Sequence, residues 1–426
     1  MARSRGNRSR SWELLLPLRQ RSFVMFVVGQ TVSRIGNGAY TVALAWTVYS
    51  ITGSPADMGL LLALNAVPEV ALVMLGGAVG DRIPRRTLVM LADGVAGIVL
   101  AALTACSAFR ILNIAVLAAA AVLLGIVSAF YGPAYSAMNR DMLRTEELRS
   151  ANSVIAVCKN AAQVIGPALA GVVYASAGPE AVFGLDAASF AIAVAAMTFT
   201  KVPRSSKASP GTSIYVDVKA GIQYTLRSGW LRMVLVLSAI ANVACLAPFF
   251  VLLADLVKVE HKDVHMLGWL ISAQVIAAII GALVVGSSRR RMHRPVSVLL
   301  VLAAVLGAGT LMLGFSAGFT PTLFGGALLV GLGFSFDVIE NTLIQARVPA
   351  DLLSRVYSVN IIVSFALLPA GYALAGVLGG WLGPERVLSG GGILLIGFCA
   401  LTGAGKAMKE VGARSLRPKP APAEHS

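Results

Sequence analysis

Along the chain, long apolar runs alternate with short polar breaks. The runs occupy approximately 22–49, 56–79, 87–109, 112–137, 152–177 and 180–200, then 230–257, 264–286, 295–317, 320–346, 354–381 and 385–405. Each is close to the roughly 20 residues that an α-helix needs to cross a hydrocarbon layer. Backbone amides in lipid must find partners inside their own segment, so each run predicts a helix. The pattern predicts an all-α membrane protein with twelve transmembrane helices. One long interior break divides them six and six. The expected organisation is a basic N-terminus (1–21), a first six-helix bundle (22–200), a linker (201–229), a second bundle (230–405) and a tail (406–426). The linker opens on polar KVPRSSKASPGT and continues, from Ile214 to Leu226, with the pattern of an amphipathic interfacial helix. Pro418, Pro420 and Pro422 in the tail predict disorder.

Composition agrees with this class: 57% of the 426 residues are hydrophobic and 13% charged, against roughly 25% charged in soluble domains. The formal charge of +15 is informative through its placement. With the N-terminus inside, the inner breaks and both termini hold 28 of the 35 Lys and Arg residues, and the outer breaks hold only Arg110, Lys258, Lys262 and Arg386. Arg34, Lys159 and Arg232 lie within runs. This asymmetry predicts both termini in the cytoplasm of a multi-pass protein of the cell (inner or plasma) membrane. The basic inner face is suited to anionic lipid headgroups, and no soluble domain exists to bind nucleic acid. The N-terminal MARSRGNRSRSWELLLPLRQRSF has no apolar core followed by a cleavage site and predicts retention.

Candidate chemistry of other kinds is sparse. Cys106, Cys158, Cys245 and Cys399 all fall in apolar runs without metal-ligand spacing, and read as small buried apolar residues. His261 and His265 stand at i, i+4 in an outer loop and read as solvated. No G-x-x-x-x-G-K-[ST] occurs. The expectation is no cofactor, no metal, no nucleotide and no enzymatic site.

The chain repeats itself. Ala168-Leu169-Ala170-Gly171-Val172 recurs as Ala373-Leu374-Ala375-Gly376-Val377, and Gly178-Pro179-Glu180 as Gly383-Pro384-Glu385, both at an offset of 205. A shared register across helix and loop predicts two parallel six-helix pseudo-repeats.

The break after the second run reads Gly77-Ala78-Val79-Gly80-Asp81-Arg82-Ile83-Pro84-Arg85-Arg86. It resembles the G-x3-D-R-x-G-R-R signature between the second and third helices of major facilitator superfamily transporters, with Pro84 in place of the usual Gly. In the fifth run, Ala162-x3-Gly166-Pro167-x2-Ala170-Gly171 is similar to the G-x3-G-P-x2-G-G motif of proton-driven exporters, with Ala at two Gly positions. Together with TGSPADMGLLLALNAVPE and NRDMLRTEELRSANS, the chain resembles the drug–proton antiporter branch, which contains macrolide efflux proteins and the enterobactin exporter. The resemblance covers roughly residues 20–405. It implies alternating access by a secondary transporter, with proton-coupled efflux of a small amphipathic drug, antibiotic or secondary metabolite. A siderophore exporter or a proton-coupled uptake transporter of the same fold are alternatives; a non-transporting sensor or membrane enzyme is more remote. By resemblance, Asp81 meets the start of the eleventh helix and locks one state, while Arg82, Arg85 and Arg86 organise the loop and bind acids or lipid.

Charges inside the runs are the candidates for chemistry, because each is expensive unless it faces water or a partner. Gln30, Arg34, Asn37 and Thr41 form one stripe in the first run. Arg34 either faces a cavity or snorkels to the inner surface. Glu69 lies near mid-run on the face of Asn65, beside Pro68, and ranks first for proton coupling, with a permanently paired structural acid as the alternative. Asp337 and Glu340 rank second, at i, i+3 in the tenth run, or meet Arg347 and Arg355 near its inner end. Lys159, with Gln163 one turn on, either pairs with a carboxylate or reaches the inner interface. Arg34, Asn37, Asn65, Lys159, Gln163 and Asn242 are the substrate-cavity candidates, and Asp93 and Asp186 read as structural interhelical bonds.

Overall fold

The computed structural model describes residues 19–80, 82–142, 147–200, 223–287, 295–316, 319–348, 352, 356, 359–360 and 366–404, and no strand occurs among them. The helices are α1 (Arg21–Thr52), α2 (Pro55–Gly80), α3 (Arg85–Ala108), α4 (Ile114–Asp141), α5 (Leu148–Thr198), α6 (Gly229–Ala241), α7 (Ala247–Val259), α8 (Val264–Ser287), α9 (Pro295–Gly314), α10 (Thr320–Phe334), α11 (Phe336–Arg347), α12 (Leu368–Leu382) and α13 (Pro384–Ala404). A π-helical turn, Asn242–Leu246, joins α6 to α7.

Nine helical stretches among the described residues are long and apolar enough to cross a membrane, three of them Pro55–Gly76, Gly229–Val259 and Thr320–Arg347. Large apolar side chains stand exposed along them, including Ile98 (71%), Leu283 (67%) and Leu401 (77%). Such a surface suits lipid and not water. The 32-residue α1 is long enough to cross, but its polar stripe keeps it outside that apolar set.

The expected fifth and sixth runs form one hydrogen-bonded helix, α5, broken at Gly178 (φ 78°, ψ 178°) ahead of Pro179. The repeated Gly383 has φ 86° and likewise precedes a helix-opening proline. Only glycine adopts this backbone cheaply, and proline at the first helical position has no amide to waste. A Cβ on Gly178 would also fall 2.8 Å from Glu180 Oε1, and one on Gly383 3.1 Å from Glu385 Oε2. The sequence repeat is therefore a repeat of local structure. The expected seventh run contains the π turn, and the tenth breaks at Ser335 between α10 and α11. Of the eleventh, α12 is described and most of residues 354–365 lie outside the described set, as do the N-terminus to residue 18, the tail from 405, and residues 214–222 of the expected interfacial helix; residues 223–227 are helical.

The chain forms two compact units. The first takes the described residues of Met1–Pro210 with Ala247–Val275 and Leu368–Val387. In it α1 packs along α5, α2 against α4 and α12, and α3 against α4 and α5. One end of α1, α3 and α4 is closed by a core including Phe23, Phe26, Val89, Met138 and Met197. The second unit takes the described residues of Gly211–Leu246, Ile276–Leu367 and Leu388–Ser426. There α9 packs against α10 and α11, and Leu231, Leu235, Ile344, Val348 and Val356 form a core.

Candidate functional site

The polar stripe of α1 faces α3 and α4. Gln30 Nε2 donates to Asp93 Oδ2 at 2.8 Å, and the Tyr131 hydroxyl donates to Gln30 Oε1. The Arg34 guanidinium carbon lies 4.8 Å from the Tyr135 ring centroid, and Tyr135 stacks on Tyr131 at 5.4 Å. Asp93 and Gln30 are both buried at 2% exposure. Buried polar groups this deep must satisfy one another, and the network does so with residues 63 and 101 positions apart.

The network opens onto a cavity of about 310 Å³ lined in part by Arg34, Asn37, Tyr40, Asn65, Asp93 and Tyr131. Asn65 is fixed by donating from Nδ2 to the Ala121 carbonyl at 3.0 Å. A second cavity of about 180 Å³ is lined mainly by apolar groups, including Phe249, Phe250, Leu253, Leu267 and Tyr372. Thr41, Met58 and Leu62 line both. A polar chamber thus adjoins an apolar one inside a single unit. Arg34 and Lys159 flank a further cleft beside Tyr135. Gln163 stands exposed on α5. Asn242 belongs to the second unit, where it opens the π turn.

The carboxylates differ sharply. Glu340, buried at 2%, accepts from Ser238 Oγ at 2.6 Å through Oε2, while Oε1 has no hydrogen-bond partner among the described residues. Its neighbour Asp337 is exposed. Arg347 lies 5.7 Å from the Trp230 ring centroid. Glu69 is exposed on α2, within electrostatic reach of Tyr372. Asp186 is fully buried, accepts from Ser189 Oγ at 3.1 Å, and has Oδ2 without a partner among the described residues.

The glycines of the fifth-run motif are points of contact. A Cβ on Gly166 would fall 2.6 Å from the Ile35 carbonyl of α1, and one on Gly171 would fall 3.1 Å from His265 Cα of α8. His265 is thus part of a packed helix start and not of a loop. At the offset of 205, a Cβ on Gly376 would fall 2.7 Å from the Pro55 carbonyl and 3.2 Å from Gly59 Cα of α2. Both crossings lie within the first unit, beside the α1–α2 turn. There Tyr49 donates to the Val251 carbonyl at 2.7 Å, and Lys258 Nζ donates to the Tyr49 carbonyl at 2.8 Å. A cation on the last carbonyls of α1 complements the helix dipole.

In the signature loop, Asp81 lies outside the described residues. Arg86 donates from Nε to the Met197 carbonyl at 3.0 Å and from Nη2 to the Thr198 carbonyl at 2.7 Å. Arg85 Nη1 reaches the Ala137 carbonyl at 3.5 Å, while Arg82 is exposed and Gly77 lies in the last turn of α2. Arg86 thus holds the last carbonyls of α5, at a helix end where orphan acceptors accumulate.

The sequence profile of a family described as a transmembrane secretion effector, within the major facilitator superfamily, matches residues 13–423. The chain belongs to that family. Its relatives include the multidrug efflux pump Tap of Mycolicibacterium fortuitum, 27% identical over 80% of this chain and 85% of Tap. The enterobactin exporter EntS of Salmonella typhimurium is 26% identical over 92% of this chain and 94% of EntS. Among solved structures, the nucleoside transporter NupG superposes with a TM-score of 0.70 at 12% identity, over 92% of this chain and 99% of that one. That likeness establishes the fold. The chain is an integral membrane transporter of a small molecule, and not an enzyme.

Proposed function

We propose that the protein exports small amphipathic molecules across the cytoplasmic membrane in exchange for protons, with both termini in the cytoplasm and twelve crossings. The observation that carries this reading is the adjoining pair of cavities, one polar around Arg34 and Asn65, one apolar around Phe249 and Tyr372. A cargo with a polar end and an apolar body fits such a pair. Relatives named as a multidrug efflux pump and an enterobactin exporter support the outward direction and keep a siderophore among the cargos to be tested.

The sequence bundles 22–200 and 230–405 are the bodies that rock. The crossings at Gly171 and Gly376, with Lys258 on the end of α1, form the outer seam that parts when the site opens outward. Asp81 closes the inner side in the opposite state, Gly77 stands in the helical turn just before it, and the basic inner loops rest on anionic lipid.

Coupling runs through a buried carboxylate. Glu340 is the strongest candidate on geometry, because a proton can join its bare oxygen without breaking the Ser238 hydrogen bond. Asp337 stands beside it, and Glu69 is the candidate on the cavity-bearing unit. Reconstituted protein under an imposed pH gradient, offered a panel of amphipathic dyes, drugs and siderophores, tests the reading. Outward, gradient-driven movement of at least one class is expected. Inward accumulation would establish uptake instead.

A further inference from the structure

Arg34 and Lys159 bring two cations together with a single nearby acid, Asp93. Arg34 stands 13 residues into α1 and Lys159 11 residues into α5, roughly 16–20 Å along each helix, within runs long enough to cross a membrane. A cation at this depth requires an aqueous cavity or an anion. The two side chains flank one cleft, yet among the described residues no carboxylate oxygen lies within 4.0 Å of either. Asp93, the acid of the same cavity, is occupied by Gln30, which Tyr131 holds in turn. Arg34 stacks on Tyr135, bonds the Tyr131 hydroxyl and lies within electrostatic reach of Asp93 without contacting it directly. The region therefore holds one cation, Arg34, and one engaged anion, Asp93, on the polar chamber, with a second cation, Lys159, across the narrow cleft beside it.

We infer that the cargo bears an acidic group, a carboxylate or an ionised phenol or enol, which meets Arg34 in the polar chamber, with Lys159 adding its field from the adjoining narrow cleft, while the apolar body occupies the chamber lined by Phe249 and Leu253. This rests on the export reading only in taking the paired cavities as the cargo site. A planar guanidinium pre-set by an aromatic ring presents a fork to two oxygens, and such charge-assisted pairs strengthen when water is excluded. Neutral and cationic analogues of one cargo lose that pair. The preference is thus read as a ratio of affinities within a set that differs only in charge.

The test uses the purified full chain in lipid nanodiscs, with tryptophan-to-pyrene energy transfer reporting binding and empty nanodiscs subtracted. The probes are pyrenebutyrate, its methyl ester and pyrenebutyl-trimethylammonium. The acid is expected to bind at least about tenfold more tightly than the ester, and the cation more weakly than either. Arg34→Gln should abolish the preference by weakening the acid alone, and Arg34→Lys should retain part of it. Lys159→Gln, at an exposed position, should reduce it part-way without a folding defect. Equal or absent binding of the acid by the wild type overturns the inference, as does an Arg34→Gln loss shared equally by acid and ester. Proteoliposomes that expel ester and cation as fast as the acid would also overturn it and leave export intact. Tight, charge-selective binding without outward movement would sink the export reading and leave this one standing.

Discussion

Shifted by 205 residues, α1 and α4 fall on α6–α7 and on α10–α11, with helix ends agreeing within about three residues. The two pairs share a frame and carry opposite chemistry. Ser33 corresponds to Ser238, but Arg34 corresponds to Ala239, Tyr131 to Phe336 and Tyr135 to Glu340. In the first pair a guanidinium lies against a tyrosine; in the second, at the matching place, a serine donates to a carboxylate with one bare oxygen. The helix frame repeats, and these polar positions differ between the two copies. On the reading proposed above, the first copy took the cargo's charge and the second took the proton.

The sharpest way to break this comparison is Glu340→Gln. The amide mimics a permanently protonated acid and keeps the Ser238 contact, so gradient-driven accumulation should fall to the passive leak while probe binding and expression persist. Accumulation at the wild-type rate in proteoliposomes would remove the proton from the second copy and return the role to Glu69 or Asp337.

Next in size is the seam. If the offset relates working parts, Gly171→Leu and Gly376→Leu should behave alike, since each drives a side chain into the backbone of a neighbouring helix. Overpacking of this kind costs about 1–3 kcal/mol, enough to shift a balanced two-state equilibrium by about tenfold. Transport should drop by that order in both. Cysteine labelling at position 56 from the outer side should rise in Gly376→Leu. A defect in one variant alone would show that the repeat is inherited form without shared use.

The smallest effect expected is on stability. Asp93→Leu strands the Gln30 amide in a buried site, and an unmade buried hydrogen bond costs about 1–3 kcal/mol. Thermal unfolding should move down, and Gln30→Leu added to Asp93→Leu should recover part of the loss. A double variant no better than the single would show that Asp93 serves the cavity and not the packing of α1 on α3.

The spans were legible in the sequence because lipid enforces a coarse rule: expected run 56–79 is Pro55–Gly80 and run 264–286 is Val264–Ser287. The break at Gly178 carried its own Gly-Pro signal. The π turn did not, since no residue type demands it. Within the candidate site, Arg34, Asn37 and Asn65 stood out as polar residues in apolar runs, and the structure brings all three to one cavity. The Asp93–Gln30–Tyr131 network was not readable, because its members come from three helices and meet only through the fold. Glu69 shows the other limit. Position in a run gives depth, but the direction of the side chain around the helix axis depends on the neighbours.

The π turn at Asn242–Leu246 carries a consequence at the level of the gene. The boundary between the two compact units falls at Leu246 and Ala247, so α6 belongs to one unit and α7 to the other. A π turn accommodates one more residue than an α turn would. Removing a single codon there would let the segment close into an unbroken α-helix with the residues beyond keeping nearly the same facing, because the wider turn absorbs the extra residue instead of adding about 100° of rotation. Ser238 would stay on Glu340, and Val251 would still face Tyr49 and Lys258 the end of α1. One extra amino acid is thus absorbed inside the span, and a reading-frame-preserving deletion of three bases would remove it without altering the identity or the facing of any residue on either surface.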